Sequence, residues 1–340
     1  MAGSDGVPNE LTTLQAPLTV GGLRLRNRVF LAPMSGVTDA PFRRLSWKHG
    51  AGLVVSEMVA SEALVSGNAE MQLKALSAGL PLHAVQIAGR EAKWMALAAR
   101  MAAEHGADLI DINMGCPARK VTTGYSGSAL MRNPDHALSL IEAVVNAVDL
   151  PVSLKMRLGW DDNHLNAPEI AARAENAGIT MITVHGRTRC QFYKGAADWK
   201  AVRAVREATG VPLVVNGDIT DRQTAREALA LSGADAAMVG RASYGAPWLA
   251  GDIAGAASDG DAIDDLCGAI QAHYEDMLSH YGVEAGLRQA RKHLGWYLDR
   301  YAPATPATLK RQMMTTTVPD EVLQAIALAF QPSDPVRRAA

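Results

Sequence analysis

Cys116, Lys155 and Arg241 are the residues of this sequence whose types and surroundings suit chemistry. Cys116 follows Leu109-Ile110-Asp111-Ile112-Asn113, a run long enough for a buried strand. The segment Met114-Gly115-Cys116-Pro117 then stops both strand and helix. The thiol therefore sits on a tight turn at the carboxyl end of a strand, with Arg119 and Lys120 close behind it. A thiol held on a turn beside two cations is placed for chemistry. A lone cysteine there is more often a small buried apolar residue, so the rest of the chain must decide.

Lys155 lies inside the apolar run Val152–Met156. An unpaired ammonium there is costly or titrates early, so it needs a negative partner. Asp111 is one candidate; a bound anionic ligand is the other and the preferred one. Polar residues also gather at the ends of other apolar runs: Pro33-Met34-Ser35, Gln86, His185-Gly186-Arg187, Asn216-Gly217-Asp218 and Gly240-Arg241. His185 suits either a satisfied core position or the site. Arg187 and Arg189 either line a pocket mouth or are solvated.

The elements that must position these groups follow a rhythm. Strand-like runs occur at Val29–Met34, Leu53–Glu57, His83–Ile87, Leu109–Asn113, Val152–Met156, Met181–His185, Leu213–Asn216 and Ala236–Gly240. Helical patterns separate most of them, including Glu91–His105, Asp135–Val148, Ala167–Ala177, Asp198–Ala208 and Asp221–Leu231. Several are followed by Gly, at 106, 178, 210 and 233, the expected left-handed helix stop. Eight buried parallel strands, each followed by a helix, predict an α/β fold of the (β/α)8 TIM-barrel type. A doubly wound sheet is less favoured, because no GxGxxG follows the first strand. In a barrel the active site lies at the carboxyl ends of the strands, and phosphate is held by the loops after strands seven and eight. Asn216-Gly217-Asp218 and Gly240-Arg241 occupy those two loops.

Around the barrel, residues 1–15 read as a flexible arm and Pro17–Leu25, with its Gly-Gly pair, as a hairpin closing the barrel floor. The barrel is expected over 16–252, a small helical domain over 253–330 and a tail over 331–340. Residues 255–285 carry seven acidic residues and no Lys or Arg, whereas 286–317 carry six basic residues and one acidic. Within the basic segment Arg288, Arg291 and Lys292 share one side of a predicted helix. The net charge of −2 over 340 residues gives no global nucleic-acid signature, so such a site must be a local patch. Three cysteines without CxxC spacing argue against a disulfide framework or a structural zinc, and no metal site is expected. Without an apolar run of about 18 residues or a signal-like N-terminus, the chain reads as cytoplasmic and not membrane-bound.

These motifs resemble the tRNA-dihydrouridine synthase family, in particular its B-type bacterial branch. The resemblance runs from Pro17 to about Tyr301. It rests on Ala32-Pro33-Met34-Ser35-Gly36-Val37-Thr38-Asp39, Asn113-Met114-Gly115-Cys116-Pro117 with Lys120-Val121, and Lys155-Met156-Arg157. It continues through Val184–Arg189, Asn216–Ile219, Gly240-Arg241 and Ala290–Tyr297. One departure is Ser35, where the family more usually has alanine. The resemblance implies an FMN-dependent oxidoreductase that reduces the C5=C6 bond of a uridine in the tRNA D-loop, with NADPH as electron donor. It implies Cys116 as the acid that protonates C5; a thiol near its reference pKa of about 8.5 is mostly protonated at neutral pH, as a donor must be. It implies FMN contacts at Pro33, Met34, Ser35, Gln86, Lys155, His185, Asn216, Gly217, Asp218, Gly240 and Arg241. tRNA contacts are expected at Arg119, Lys120, Arg187, Arg288, Arg291 and Lys292, and a monomer is expected. Two alternatives stand beside this one. One is an FMN-dependent reductase of a free pyrimidine-like molecule, which leaves the basic helix unexplained. The other is a non-catalytic RNA binder, which needs neither Cys116 nor Lys155.

Overall fold

The structure, a computed structural model, describes residues 14–256 and 265–330; most of the expected arm and the whole of the expected tail lie outside them. At the arm's described end Leu14 is buried, and its carbonyl accepts from the Arg28 N–H.

An antiparallel hairpin, β1 (Leu18–Val20) and β2 (Leu23–Leu25), precedes a nine-stranded parallel sheet. In chain order the nine are β3 (Val29–Leu31), β4 (Leu53–Val54), β5 (Val59–Ala60), β6 (Ala84–Ala88), β7 (Leu109–Met114), β8 (Val152–Arg157), β9 (Met181–His185), β10 (Leu213–Asn216) and β11 (Ala236–Val239). Their spatial order is β4-β3-β11-β10-β9-β8-β7-β6-β5. The two ends of the sheet meet at Val55, which continues β4 and bridges Ala84 of β6. The result is the expected (β/α)8 barrel, whose second strand is split. Leu53–Val54 pairs with β3 and Val59–Ala60 with β6, where one run over Leu53–Glu57 was expected. The break frees Glu57 to turn inward and accept the Gly36 N–H at 2.6 Å, so the loop after β3 is tied to strand two.

Helices on the outside follow their predicted stretches. Asp198 and Asp221 cap Trp199–Ala208 and Arg222–Ser232 by accepting backbone N–H groups. Gly106, Gly178 and Gly233 take the left-handed conformation expected of helix stops. Gly210 does not; its N–H instead donates to the Glu175 carboxylate. Leu18, Val20 and Leu25 of the hairpin pack with Phe30, Leu53, Ala84, Leu109, Met181 and Ala236 of the barrel strands, which closes the floor with apolar side chains. Above this floor the interior turns polar, from the tier of Gln86, Asp111 and Ser153 upward.

The chain divides into two compact units, Met1–Ala242 with Trp248–Ala257 and Ser243–Pro247 with Ser258–Ala340. In the second, helices Leu266–Tyr281, Val283–Tyr301, Ala307–Thr315 and Pro319–Phe330 pack through Tyr274, Leu287, Leu294, Tyr297 and Ile326. Tyr244 stacks on Trp296 with ring centroids 4.2 Å apart, which anchors Ser243–Pro247 to these helices. Among the described residues no helix is long and apolar enough to cross a membrane.

Candidate active site

Period-two alternation builds the site from β8. Val152, Leu154 and Met156 face one way, so Ser153, Lys155 and Arg157 all face the other. Parallel register then sets them in tiers. Gln86, Asp111 and Ser153 form one level, Asn113, Lys155 and Thr183 the next, and Arg157, His185 and Asn216 the level nearest the strand ends. Lys155 donates to Asn216 Oδ1 at 3.1 Å and, among the described residues, has no carboxylate within ion-pair distance. Burial and the nearby Arg157 pull its pKa down to about 8, against the charge of Asp111. Asp111 is thus an electrostatic neighbour of the ammonium and not its hydrogen-bond partner.

The turn after β7 is held from three sides. The Gly115 and Cys116 N–H groups donate to Asn113 Oδ1 at 3.2 and 3.0 Å. Ser128 donates both its N–H and its hydroxyl to the Cys116 carbonyl, at 3.1 and 2.9 Å. Arg157 Nε donates to the Gly115 carbonyl at 2.8 Å, while its Nη1 reaches the carbonyls of Thr188 and Phe192. The N–H and carbonyl groups of Gly115 and Cys116 are all bonded, and the half-buried Cys116 is one of three free thiols.

Across the mouth, Gly217 takes φ of 112°, where a Cβ would come within 2.8 Å of the His185 ring. Arg187 is 2 % exposed and donates to Lys194 O, Gly195 O and Asp218 Oδ2. Its Nη1 also lies 3.2 Å from His185 Nε2. A guanidinium cannot accept, so that imidazole nitrogen is the acceptor and the proton sits on Nδ1. Burial, reinforced by Arg157, Lys155, Arg187 and Arg241, holds the His185 pKa well below its ordinary value. Asp218 also accepts the Ala197 N–H; burial raises its pKa, but these hydrogen bonds outweigh it and the net shift is downward. Arg241 keeps an exposed guanidinium 4.5 Å from the Tyr193 ring centroid.

The chain's residues 30–333 match the family model described as dihydrouridine synthase. This chain belongs to the dihydrouridine synthase family. A probable tRNA-dihydrouridine synthase of Rhizobium leguminosarum bv. phaseoli is 60% identical over 300 residues, covering 88% of this chain and 94% of the relative. One from Rhodobacter capsulatus is 57% identical over 324 residues, covering 92% and 98%. tRNA-dihydrouridine synthase B of Escherichia coli is 45% identical over 292 residues, covering 84% and 91%. Among solved structures, a 2-naphthoyl-CoA reductase complex superposes with a TM-score of 0.57 at 15% identity, covering 72% of this chain and 52% of that one. This last likeness shows the fold alone.

In this dihydrouridine synthase fold the expected cofactor residues gather at one end of one barrel. Pro33 and Met34 are half-buried and Ser35 exposed after β3, with the Met34 N–H donating to Thr38 Oγ1. Gln86, Asn216 and Lys155 line the interior, and Gly217, Asp218, Gly240 and Arg241 the two phosphate-type loops. Arg119 is exposed on the short helix Arg119–Thr122, which also contains Lys120. Arg187 is a correction: every guanidinium nitrogen is engaged inside the protein, so it shapes the mouth and is not presented to a nucleic acid. Arg288, Arg291 and Lys292 lie on helix Val283–Tyr301 in the other unit. Arg288 is exposed beside Glu284, and Arg291 and Lys292 are half-buried. Tyr193 was missed. It is 47% exposed, 5.5 Å from Arg157 and 4.5 Å from Arg241 by ring centroid. Its only sequence signal is an adjacent aromatic pair, Phe192-Tyr193, in a polar loop.

Proposed function

We propose that this chain is a tRNA-dihydrouridine synthase that reduces the C5=C6 bond of a D-loop uridine, using FMN and NADPH, with Cys116 as proton donor. It would act in the cytoplasm as a monomer. The observation that carries this reading is the saturated turn at Cys116: its backbone polar groups are bonded within the protein, which leaves the thiol as the group held ready at the mouth. Reduction of a carbon–carbon double bond needs a proton delivered to one carbon while a hydride reaches the other, and a fixed acid is what the chain must supply.

The residues fit a flavin mononucleotide. A Cβ added at Gly240 would meet nothing nearer than 4.0 Å, so ligand atoms can approach that backbone. Among the described residues Lys155 is a buried cation bonded only to a neutral amide, and Arg241 is an exposed cation on the last barrel loop. Pro33–Ser35, Gln86 and Lys155 would take the ring system, with His185 beside it. Asn216, Gly217, Gly240 and Arg241 would take the ribityl phosphate, and Asp218 would hold their loops. When bound, FMN supplies the hydride. Lys155, protonated at neutral pH with a pKa of about 8, favours negative charge on the ligand beside it. Cys116 holds the proton destined for C5. His185 stays neutral, so it orients through hydrogen bonds and does not compete as an acid. A uridine inside folded tRNA must leave its stack to reach such a site. Arg119, Lys120, Arg288, Arg291 and Lys292 are the cations proposed to grip the backbone.

The test is nucleoside mass spectrometry of undermodified tRNA incubated with flavin-loaded protein and NADPH. We expect a gain of two hydrogens on uridine. With Cys116→Ala the rate should fall by about 10²–10⁴, the range of a positioned general acid, while NADPH still reduces the flavin. No gain, with the flavin reoxidised by a free pyrimidine, would replace this reading with a small-molecule reductase.

A further inference from the structure

Beneath the thiol's turn lies a carboxylate with no contact to it. Asp111 is 3% exposed. Its Oδ1 accepts from Ser153 Oγ and its Oδ2 from Gln86 Nε2, both at 2.6 Å. Lys155 is the charge that acts on it; the neighbours from β6 and β8 that bond to it, Gln86 and Ser153, are neutral. An ionised carboxylate has no proton to give, so Gln86 must turn its NH₂ toward Asp111. That choice leaves Gln86 Oε1 facing Asn113, which must in turn donate Nδ2, at 2.7 Å. Asn113 Oδ1 is then the acceptor for the Gly115 and Cys116 N–H groups. Each amide has two orientations of nearly equal shape, and the carboxylate selects one for both.

We infer that Asp111 is a positioning residue: it fixes the donor–acceptor polarity of the Gln86–Asn113 chain and so clamps the turn that carries Cys116. It touches neither the thiol nor the reacting atoms. Its influence travels through two side-chain amides, from the middle of β7 to the turn beyond that strand's end. Were residue 111 a donor, Gln86 would offer Oε1 to it and Nε2 to Asn113. Asn113 Oδ1 would then be drawn to Gln86, and the Asn113 NH₂ would face the two backbone N–H groups, donor against donor. The turn would lose both of its Asn113 bonds. Burial pushes the Asp111 carboxyl up to about 6, against the bonds from Ser153 and Gln86 and the charge of Lys155, so it is ionised at neutral pH.

This inference deepens the reading of Cys116 as acid, and its test reads the thiol itself, without tRNA or NADPH. The full chain as purified is alkylated with iodoacetamide at pH 7.5, and the rates at Cys116, Cys190 and Cys267 are separated by peptide mass spectrometry. Asp111→Asn is isosteric and removes the obligate acceptor: its NH₂ can face Gln86 while its Oδ1 still accepts from Ser153. We expect Cys116 to react at least threefold faster in this variant, with Cys190 and Cys267 as unchanged internal controls. Asp111→Asn combined with Gln86→Glu moves the carboxylate one step along the chain and restores the polarity at Asn113. The Cys116 rate should return to within 1.5-fold of the parent (about the precision of the method). Ser153→Ala removes a bond to Asp111 without altering polarity and should leave the Cys116 rate unchanged.

The inference is overturned if Asp111→Asn leaves the rate at Cys116 alone, if the double variant behaves like the single one, or if Ser153→Ala shifts the rate as far. Should Asp111→Asn fail to fold, the double variant and Ser153→Ala still decide. Loss of tRNA reduction with an unaltered thiol rate in Asp111→Asn would count against this inference and not against the proposed activity. Absence of any uridine reduction in the parent would do the reverse.

Discussion

On the β6–β8 side of the barrel mouth, one carboxylate, two amides and a buried lysine fix the site; on the β9–β11 side, two arginines and a histidine surround one carboxylate. The first side works by donor–acceptor polarity. Swapping one atom in it reorients its neighbours. The second works by charge and by capture of loop carbonyls: Arg187 alone spans the loop after β9 and the Asp218 carboxylate on the loop after β10. Within that side the two arginines differ again. Arg187 is 2% exposed and saturated, whereas the Arg241 side chain is 47% exposed with its nearest carboxylate oxygen 3.7 Å away. Burial separates the guanidinium that builds the wall from the one that remains for a ligand.

That contrast can be broken by truncation. Arg187→Ala would remove donors from two carbonyls and from Asp218, whose carboxylate is 32% exposed and keeps the Ala197 N–H, so most of the cost, about 3 kcal/mol in all, falls on the carbonyls. At roughly 2–4 °C per kcal/mol for a unit of this size, its thermal midpoint should fall by about 6–12 °C. Arg241→Ala should stay within about 0.5 kcal/mol of the parent, as an exposed pair predicts, yet lose affinity for FMN. Equal destabilisation by the two variants, measured in the flavin-free protein, would abolish that distinction.

A smaller effect of opposite sign is expected on the other side. Lys155 is buried without a carboxylate partner, and its pKa of about 8 records the penalty for charging it there. Lys155→Met should therefore stabilise the flavin-free barrel, by about 2 kcal/mol, while weakening FMN binding. The pH dependence supplies the sign. Between about 8 and the unfolded lysine value near 10.4, the unfolded chain binds more protons, so the parent gains stability as pH rises through that window. The variant should lack this gain. A Lys155→Met protein less stable than the parent at pH 7 would mean that the ammonium is better satisfied in the barrel than its single bond to Asn216 indicates.

Much of this arrangement was legible in the sequence, for physical reasons that also mark where legibility stops. A lysine in the middle of Val152–Met156 and a cysteine on a Gly-Pro turn after a strand conflict with their local surroundings, and such conflicts stand out. The barrel was visible because buried parallel strands are continuous apolar runs. The split in strand two was not, because the hydrogen bond that accompanies it joins Glu57 to Gly36, 21 residues away. Nor was the burial of Arg187, whose partners at Lys194 and Gly195 are backbone carbonyls that carry no side-chain signature. Tyr193 gains its place only from the loop that folds between Arg157 and Arg241.

The smallest effect compares two buried imidazoles, one in each unit. His185 sits among four cations, so burial and charge act together to keep it neutral. His293, on helix Val283–Tyr301, is kept neutral first by burial, with His273 and Lys292 adding to it, and its ring packs edge-on against His273 and Trp296. Both native pKa values lie below the unfolded value near 6.5, so the unfolded state binds more protons as pH falls. Stability is intact above 6.5 and is lost progressively below it. For one such histidine the loss between pH 7.5 and 5.5 is about 1.4 kcal/mol, the free energy of protonating it in the unfolded chain alone. Hydrogen exchange at pH 7.5 and 5.5, corrected for intrinsic rates, reads each unit by its own amides. His293→Gln should remove part of the acid sensitivity over 283–301 and leave that of the barrel strands intact. Titration of the His185 ring near pH 6.5 in the folded protein would show instead that neither its burial nor the four surrounding cations hold it neutral.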